Sequence, residues 1–117
     1  MLFRSNEAGV DQGPSGVAIG RSAGNGQGWD SVAIGRYAGN SDQYDGAVAI
    51  GYYAGRWDQL SSAVAIGSEA GRTNQGWTAV AVGRMAGRSN QGPGSVAIGH
   101  LAAVDGQSNQ EIGRAHV

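Results

Sequence analysis

The sequence has no cysteine and no lysine, and among its 117 residues there are only two histidines, two prolines and one phenylalanine. Without cysteine, neither a disulfide scaffold nor a thiolate metal site can form. Eight arginines almost balance nine acidic residues, and the net charge of −1 predicts no attraction of the whole chain to nucleic acid or to an anionic membrane. The length fits one domain.

Long apolar runs are also missing from the sequence. No stretch approaches the roughly 20 apolar residues that a membrane-spanning helix needs, and the first ten residues, MLFRSNEAGV, lack the apolar centre of a signal peptide. We therefore expect no membrane insertion. Small residues are abundant instead, with 22 glycines and 18 alanines. Such a composition favours an ordered fold when its apolar residues recur with a fixed period.

One ten-residue phrase recurs six times, in forms such as SVAIGRYAGN at residues 31–40 and AVAIGSEAGR at 63–72. We number each unit from its first valine, at phase zero: Val17, Val32, Val48, Val64, Val80 and Val96. The first two valines are 15 residues apart and the others 16. Phase +3 is always glycine, phase +6 is always alanine, and a glutamine stands five residues before each valine and before Ile112. These glutamines are Gln12, Gln27, Gln43, Gln59, Gln75, Gln91 and Gln107.

The period predicts the fold. Valine and isoleucine two residues apart, with alanine between them, are typical of a short strand, and the many glycines disfavour a helix. A strand in every unit predicts an all-β β-solenoid, a parallel β-roll whose coils stack along one axis. At about 3.3 Å per residue a coil has a perimeter of about 53 Å, which suits a flat roll with two short strands per coil. We expect about seven coils of 15–16 residues in a rod about 33 Å long. The whole chain, 1–117, would be one domain with degraded capping units at about 1–11 and 108–117.

The two faces of the predicted strand differ in side-chain size. We expect the valines and isoleucines at phases 0 and +2 to point into a thin core, so that the alanines at phase +1 line the outer face. These alanines are Ala18, Ala33, Ala49, Ala65, Ala81 and Ala97. We expect this strip, or the alanines at phase +6, to be the interface of a homotrimer. The segment between phase +6 and the glutamine varies in length by one residue, which indicates a loop.

The recurrent SVAIGxxAG phrase resembles the head repeat of YadA-like trimeric autotransporter adhesins, and similar arrays occur in fibre-like proteins of phages and giant viruses. The resemblance covers roughly residues 8–113. It implies a left-handed parallel β-roll, three chains forming a compact trimer, and a role in surface attachment. The sequence shows no coiled-coil stalk, membrane anchor or secretion signal, so we expect a virion fibre, spike or decoration module.

Residues that carry enzyme chemistry are sparse. His100 and His116 have no nucleophile or carboxylate at a recognised spacing. The stretch GNGQG at 24–28 has no lysine with which to form a phosphate loop. Four aspartates fall in the predicted loops: Asp30, Asp42, Asp45 and Asp58. They do not keep to one phase, as the aspartates of calcium-binding repeats do. We expect no enzyme activity, no cofactor and no metal site.

Aromatic residues occur at the variable phases of the repeat. Four of them lie close to a glutamine, in the predicted loops between one strand and the next: Trp29, Tyr44, Trp57 and Trp77. Three more follow a phase +3 glycine: Tyr37, Tyr52 and Tyr53. Tyrosine and tryptophan present a flat apolar face with a polar tip, so these seven residues are the candidates for ligand binding. The glutamines are expected to stack as a structural ladder along the solenoid axis.

These patterns predict a non-enzymatic structural and adhesive module of a trimeric fibre, spike or virion decoration. It would bind a host or cell surface multivalently, through a glycan or a protein. Its partners would be copies of itself and other virion or fibre proteins, with no nucleic acid. One alternative is the head of a bacterial adhesin at the cell surface. Another is an ice-binding solenoid, although Thr73 and Thr78 are the only threonines. A glycan-degrading enzyme would need paired carboxylates, and the acids off the predicted loops are Glu7, Glu69 and Glu111.

Overall fold

The structure, a computed structural model, describes residues 13–108 and 112–113, and its regular elements are all β-strands. The described part of the chain contains no helix. The strands are β1 (Val17–Ile19), β2 (Val32–Ile34), β3 (Ser41–Gln43), β4 (Val48–Ile50), β5 (Trp57–Gln59), β6 (Val64–Ile66), β7 (Thr73–Gln75), β8 (Val80–Val82), β9 (Ser89–Gln91), β10 (Val96–Ile98), β11 (Asp105–Gln107) and β12 (Ile112–Gly113).

The strands form two parallel sheets, one on each side of a flat coil. The first sheet contains seven strands in the order β1-β2-β4-β6-β8-β10-β12, and the second contains five in the order β11-β9-β7-β5-β3. Residues of equal phase pair with each other, as Val32 does with Val48 and Gln43 with Gln59. The predicted β-solenoid with two short strands per coil is therefore confirmed, and the molecule measures 37 × 21 × 15 Å.

The core consists of alanine. The middle residue of every first-sheet strand from β1 to β10 points inward and is fully buried, and the phase +6 alanines are buried with it. This core comprises Ala18, Ala23, Ala33, Ala38, Ala49, Ala54, Ala65, Ala70, Ala81, Ala86, Ala97 and Ala102. The valines and isoleucines of the same strands point outward and are half-buried or exposed. The predicted orientation of the two faces is therefore wrong, and the buried alanines leave no outer alanine strip for a subunit interface.

The size of the coil explains this inversion. A coil of 16 residues leaves little room between its two sheets, so the inward positions take methyl groups and the flat amide of one glutamine. Two β-branched side chains per strand would overfill that space. They fit on the outside, where their preference for extended backbone is satisfied and their volume is unconstrained.

The phase +3 glycines combine a positive φ with close backbone packing. Gly51 has φ +130°, and a Cβ added to it would lie 2.7 Å from the carbonyl carbon and oxygen of Gly67 in the next coil. Those neighbours are backbone atoms and cannot rotate away. Glycine at this phase lets each coil turn out of the first sheet while staying in contact with the coil above.

The segment predicted as a loop contains a turn followed by the first two residues of the second strand. Residues 41–43 and their equivalents pair in parallel, and Trp57 begins β5 instead of lying in a loop. The unit that is one residue shorter has no strand here, and its Gln27 forms only an isolated bridge with Gln43. The extra residue of the later units therefore completes a three-residue strand.

The predicted end caps can be compared only in part. Ile112–Gly113 pairs with β10, so the last unit continues the first sheet. The unit at 1–11, Gln12, Glu7, Glu111 and His116 lie outside the described residues.

Candidate functional site: two edges and a buried ladder

The flat coil has two edges, because each coil turns twice. The first edge comprises the turns that lead from a first-sheet strand to the second sheet, at phases +3 to +8 of each unit. The second edge comprises the turns that lead back, at phases −4 to −1. All strands are parallel, so every turn of one kind lies on the same side of the molecule.

Tyrosines of successive coils meet on the first edge. Tyr37 and Tyr53 occupy the same phase in adjacent units and stack face to face, with ring centroids 5.2 Å apart and planes 8° from parallel. Tyr52 meets Tyr53 edge-on at 4.2 Å. Both Tyr37 and Tyr53 have φ near +60°, but so do Ser22, Glu69, Met85 and Leu101 at the same phase. This backbone conformation therefore belongs to the repeat and is not special to the aromatic coils.

Two arginines lie against the faces of these rings. The guanidinium carbon of Arg56 is 3.9 Å from the ring centroid of Trp57 and 4.5 Å from that of Tyr53. The guanidinium carbon of Arg72 is 5.1 Å from each of the same two rings. The Nε atoms of both arginines are buried and have no hydrogen-bond partner among the described residues. Cation–π contact with the rings stabilises both guanidinium groups, and Arg72 has an ion pair in addition.

Glu69 joins two arginines of this edge. Its Oε2 lies 3.0 Å from an Nη of Arg72 and 3.3 Å from Nε of Arg88, and all three side chains are partly exposed. Within the described part of the chain, Arg56 forms no ion pair. The first edge therefore holds more positive charge than its carboxylate neutralises.

The hydroxyl of Tyr52 is perturbed by its neighbours. A side-chain hydrogen bond with Tyr53 raises the pKa of Tyr52, with smaller contributions from desolvation and from the negative charges that Tyr53 and Glu69 can carry. The nearby Arg36 opposes this shift in pKa. The net shift favours the protonated hydroxyl of Tyr52.

The second edge carries a different group of aromatics. Trp29 and Trp77 share phase −3, lie three coils apart and are 63% and 61% exposed, while Tyr44 is 48% exposed. At about 4.8 Å per coil, the two indoles are separated by about 14 Å along the axis. The backbone N–H of Trp29 donates to Oδ1 of Asp45 at 2.9 Å, which fixes the turn and leaves the ring in solvent. The seven predicted aromatic residues thus divide between opposite sides, with Tyr37, Tyr52 and Tyr53 on the first edge and Trp57 beside it at the start of β5.

Charge is divided between the edges as well. All six arginines of the described residues occupy phases +4 or +8 on the first edge: Arg21, Arg36, Arg56, Arg72, Arg84 and Arg88. The five described aspartates occupy the second sheet or the second edge: Asp30, Asp42, Asp45, Asp58 and Asp105. Glu69 is the one described acidic residue on the first edge. The net charge of −1 therefore conceals a basic edge and an acidic one.

The predicted glutamine ladder lies in the core between the sheets. Nε2 of Gln43 donates to Oε1 of Gln59, and Nε2 of Gln59 donates to Oε1 of Gln75, both at 3.0 Å. The same amide groups also donate to first-sheet carbonyls, as Gln59 does to Val48 at 2.7 Å. Gln27, Gln91 and Gln107 donate to the corresponding carbonyls of Val17, Val80 and Val96. The buried glutamines therefore join the two sheets and have no exposed surface with which to bind a ligand.

Nothing in comparisons with protein-family models, curated proteins or solved structures matches the chain. The function must therefore be inferred from the geometry of the two edges. In the described part of the chain, no three histidine or acidic side chains are close enough to hold a metal ion. Likewise, none of the residues that the structure describes belongs to a helix of the length and apolarity needed to cross a membrane.

The arginine column is the functional feature that sequence reasoning missed. The phrase AGR occurs at the same phase in three successive units and places Arg56, Arg72 and Arg88 directly above one another. In the earlier units asparagine holds this place, and the amide of Asn40 donates to the backbone carbonyl of Ser22 at 2.9 Å. The column could have been found by comparing the variable phases of the repeat as closely as the invariant ones.

Proposed function

We propose that the chain is a non-enzymatic structural and adhesive module of a trimeric fibre, spike or virion decoration, attached to a host or cell surface by many weak contacts. The observation that carries this proposal is the outer face of the first sheet. That face presents two rows of valine and isoleucine to solvent, with no covering element among the described residues.

The aliphatic strip is straight and continuous because the strands are in register. We define it by its outward residues, Val17, Ile19, Val32, Ile34, Val48, Ile50, Val64, Ile66, Val80, Val82, Val96, Ile98 and Ile112. Seven strands at about 4.8 Å spacing give the strip a length of about 29 Å. Ile98 is 56% exposed. An apolar surface of this extent is typical of a subunit contact, and three copies around an axis parallel to the solenoid would each cover it.

Attachment is assigned to the edges. When the first sheets face one another, both edges of every copy remain available, each with aromatic side chains on a rigid scaffold. Three copies present the same weak site three times, which raises avidity without a strong single contact. The resemblance of the repeat to YadA-like heads supports the same role, and it keeps the head of a bacterial surface adhesin as the alternative setting.

The oligomeric state tests the structural half of the proposal. Light scattering during size exclusion should give three times the chain mass of 11.8 kDa. Ile66→Arg, in the middle of the aliphatic strip, should give a folded monomer because three charges would meet at the axis. Tyr44→Arg introduces the same side chain on the exposed second edge and should remain trimeric. A monomeric wild-type protein at micromolar concentration would contradict the trimer.

Surface attachment needs its own measurement. The wild-type protein and a Trp29→Ala/Trp77→Ala double variant should be compared on a glycan array and on intact cells. We expect the double variant to retain the wild-type mass and fold and to lose binding that depends on the second edge. Failure of the wild-type trimer to bind any glycan or cell type would leave a purely structural module.

A further inference from the structure

We propose that the first edge binds a linear acidic polysaccharide whose sugars carry sulfate or carboxylate groups. This inference rests on the attachment function proposed above and names the ligand class for one of the two edges. It depends on four features of that edge: its excess charge, the spacing of its arginines, their fixed orientation and the occupied faces of its rings.

The excess charge is large for so small a surface. Six arginines and one glutamate lie on the described part of the first edge, whereas the described aspartates lie elsewhere. Because these aspartates lie in the second sheet or on the second edge, they are far from an anion bound at the first edge and repel it only weakly. Opposite charges so arranged orient an approaching polyanion toward one side of the molecule.

The spacing of the arginines suits a polymer. Arg56, Arg72 and Arg88 occupy the same phase in three successive coils, so their backbones are about 4.8 Å apart. One coil is about as thick as one sugar unit of an extended polysaccharide is long. Consecutive charged sugars can therefore meet consecutive arginines when the polymer lies along the axis.

The guanidinium groups are held in position before any ligand arrives. Arg56 lies against the rings of Trp57, Tyr53 and Tyr37, at 3.9, 4.5 and 4.9 Å from their centroids. A planar guanidinium fixed on a ring has lost much of its rotamer freedom, so less entropy is lost when it binds an oxyanion. The ring contacts use the face of the guanidinium and leave its terminal N–H groups free to point outward.

Glu69 acts as an internal competitor for the anion. It neutralises part of the charge on Arg72 and Arg88, at 3.0 and 3.3 Å, and leaves Arg56 unpaired among the described residues. A sulfate or carboxylate that binds Arg72 or Arg88 must therefore share the arginine with Glu69. Removal of the Glu69 charge should strengthen binding.

The occupied rings favour a saccharide over single-stranded nucleic acid. Proteins that bind single strands stack the bases on free aromatic faces. Here the faces of Tyr53 and Trp57 are covered by Arg56 and Arg72, and Tyr37 and Tyr53 cover one another. Tyr52, 43% exposed, is the one first-edge ring outside these contacts, and a single ring cannot stack successive bases. What the edge offers is chiefly charge and hydroxyl groups, the chemistry that recognises a sulfated or carboxylated sugar.

The test measures binding of the full chain to a size-defined heparin oligosaccharide, its desulfated counterpart and neutral dextran at several salt concentrations. We expect heparin to bind with an affinity that falls as salt rises, and dextran not to bind to this edge. Arg56→Gln should weaken heparin binding about fivefold, and Glu69→Gln should strengthen it about threefold. Asp30→Asn, which makes the same change of charge on the second edge at a position where asparagine tolerates the φ of +54°, should change it little. Circular dichroism and light scattering confirm that each variant keeps its fold and mass.

Three results would overturn the inference. Equal strengthening by Glu69→Gln and Asp30→Asn would show that only net charge matters. Tighter binding of an oligothymidylate than of heparin at equal salt would assign the edge to nucleic acid. Binding of neutral glycans alone, lost in the Trp29→Ala/Trp77→Ala variant, would refute the acidic ligand and leave the attachment function intact. Loss of the trimer in the wild-type protein would instead contradict the proposed assembly.

Discussion

Gln59 donates a hydrogen bond from Nε2 to Oε1 of Gln75, 3.0 Å away and one coil further along the axis, inside a core that otherwise consists of alanine methyl groups. The same Nε2 lies 2.7 Å from the carbonyl oxygen of Val48 in the first sheet. One side chain of the second sheet therefore ties together both sheets and two neighbouring coils. Buried amides of this kind are stabilising only while every partner is present.

Replacement of Gln59 by leucine should be strongly destabilising. The change removes the side-chain donor to the carbonyl of Val48 and to Oε1 of Gln75, and it takes away one of the acceptors of the Gln43 amide. We therefore expect a loss of about 2–4 kcal/mol in the free energy of unfolding. Urea denaturation followed by circular dichroism measures it. Asn74 donates to Asn90 at 3.0 Å in the same ladder geometry but in solvent. Asn90→Gly, which suits the φ of +57°, should therefore cost less than about 1 kcal/mol. Similar losses for the two variants would contradict a special role of the buried ladder.

Two glycines with positive φ should differ in their tolerance of alanine. At Gly51 a Cβ would lie 2.7 Å from backbone atoms of Gly67, so Gly51→Ala must separate two coils and should cost about 3 kcal/mol or more. At Gly46, with φ +68°, the nearest atom to a Cβ would be Oγ of Ser62 at 3.6 Å. Gly46→Ala should cost only the backbone strain of about 1–2 kcal/mol. The Tm of both variants is measured by thermal unfolding. Equal shifts in Tm would show that the close contact between coils at Gly51 does not add to the cost of the substitution.

Because the core consists of alanine, enlarging an inward side chain should destabilise the fold more than shortening an outward one. Ala65→Val adds two methyl groups between the sheets at a fully buried position and should destabilise by about 1–3 kcal/mol. Its neighbour Ile66 is 37% exposed in the single chain and lies in the proposed subunit contact, so Ile66→Val should lower the free energy of unfolding by no more than about 1 kcal/mol. Denaturant titrations at one protein concentration give both values. A stabilising Ala65→Val would mean that the space between the sheets is underfilled.

Alanine substitution of Trp57 and of Trp77 should have different effects on the stability of the protein. Trp57 lies against Arg56 and Arg72, and Trp57→Ala should cost about 1–2 kcal/mol because two cation–π contacts disappear. Trp77 is 61% exposed, so Trp77→Ala should leave stability within about 0.5 kcal/mol of the wild type. Intrinsic fluorescence during unfolding provides the readout. If Trp77→Ala were the more destabilising change, the second edge would be structural and not a binding surface.

An alkaline titration tests the tyrosine cluster. The hydrogen bond between Tyr52 and Tyr53 raises the pKa of Tyr52 in the folded state. The stabilisation that this bond gives the fold is therefore complete below the ordinary tyrosine pKa, and it is lost as the pH rises through the higher pKa of the folded state. Tyrosinate absorbance, followed as the pH is raised, should show one step in the native protein that occurs above the ordinary tyrosine pKa, which is the late step. Tyr52→Phe should remove that late step, while Tyr44→Phe on the second edge should leave it. A late step that survives Tyr52→Phe would assign the shift in pKa to another tyrosine.

The fold was predictable from period and phase, because a strand repeated every 16 residues with glycine at phase +3 fits few architectures other than a solenoid. Which face of the strand points inward was not predictable. The alternation of residues shows that the strand has two faces, but it does not show which of them is buried when both are apolar. Ala65 and Val64 look alike to a hydropathy pattern and differ chiefly in volume. The short perimeter of the coil determines the orientation, because the space between its two sheets holds only methyl groups and one amide.

The individual residues of the candidate site were predictable from the sequence, but their positions relative to one another were not. The aromatic side chains could be found because they avoid the invariant phases. Their division between two edges depends on where the second strand begins, and the variable length before Gln43 concealed that strand. Trp57 consequently moved from a presumed loop beside Trp29 and Trp77 to the start of β5, where it meets Arg56.

The in-register stack has a consequence for how such a chain can change over time. Each residue meets its own counterpart one unit away, so a duplicated unit of 16 residues can be inserted between any two coils with its neighbours unchanged. Each duplication would lengthen the rod by about 4.8 Å and, if it copied an AGR unit, would add one more cation to the column. Length and valency can therefore grow together by recombination alone, and the 15-residue step from Val17 to Val32 shows that a unit one residue shorter also keeps the register.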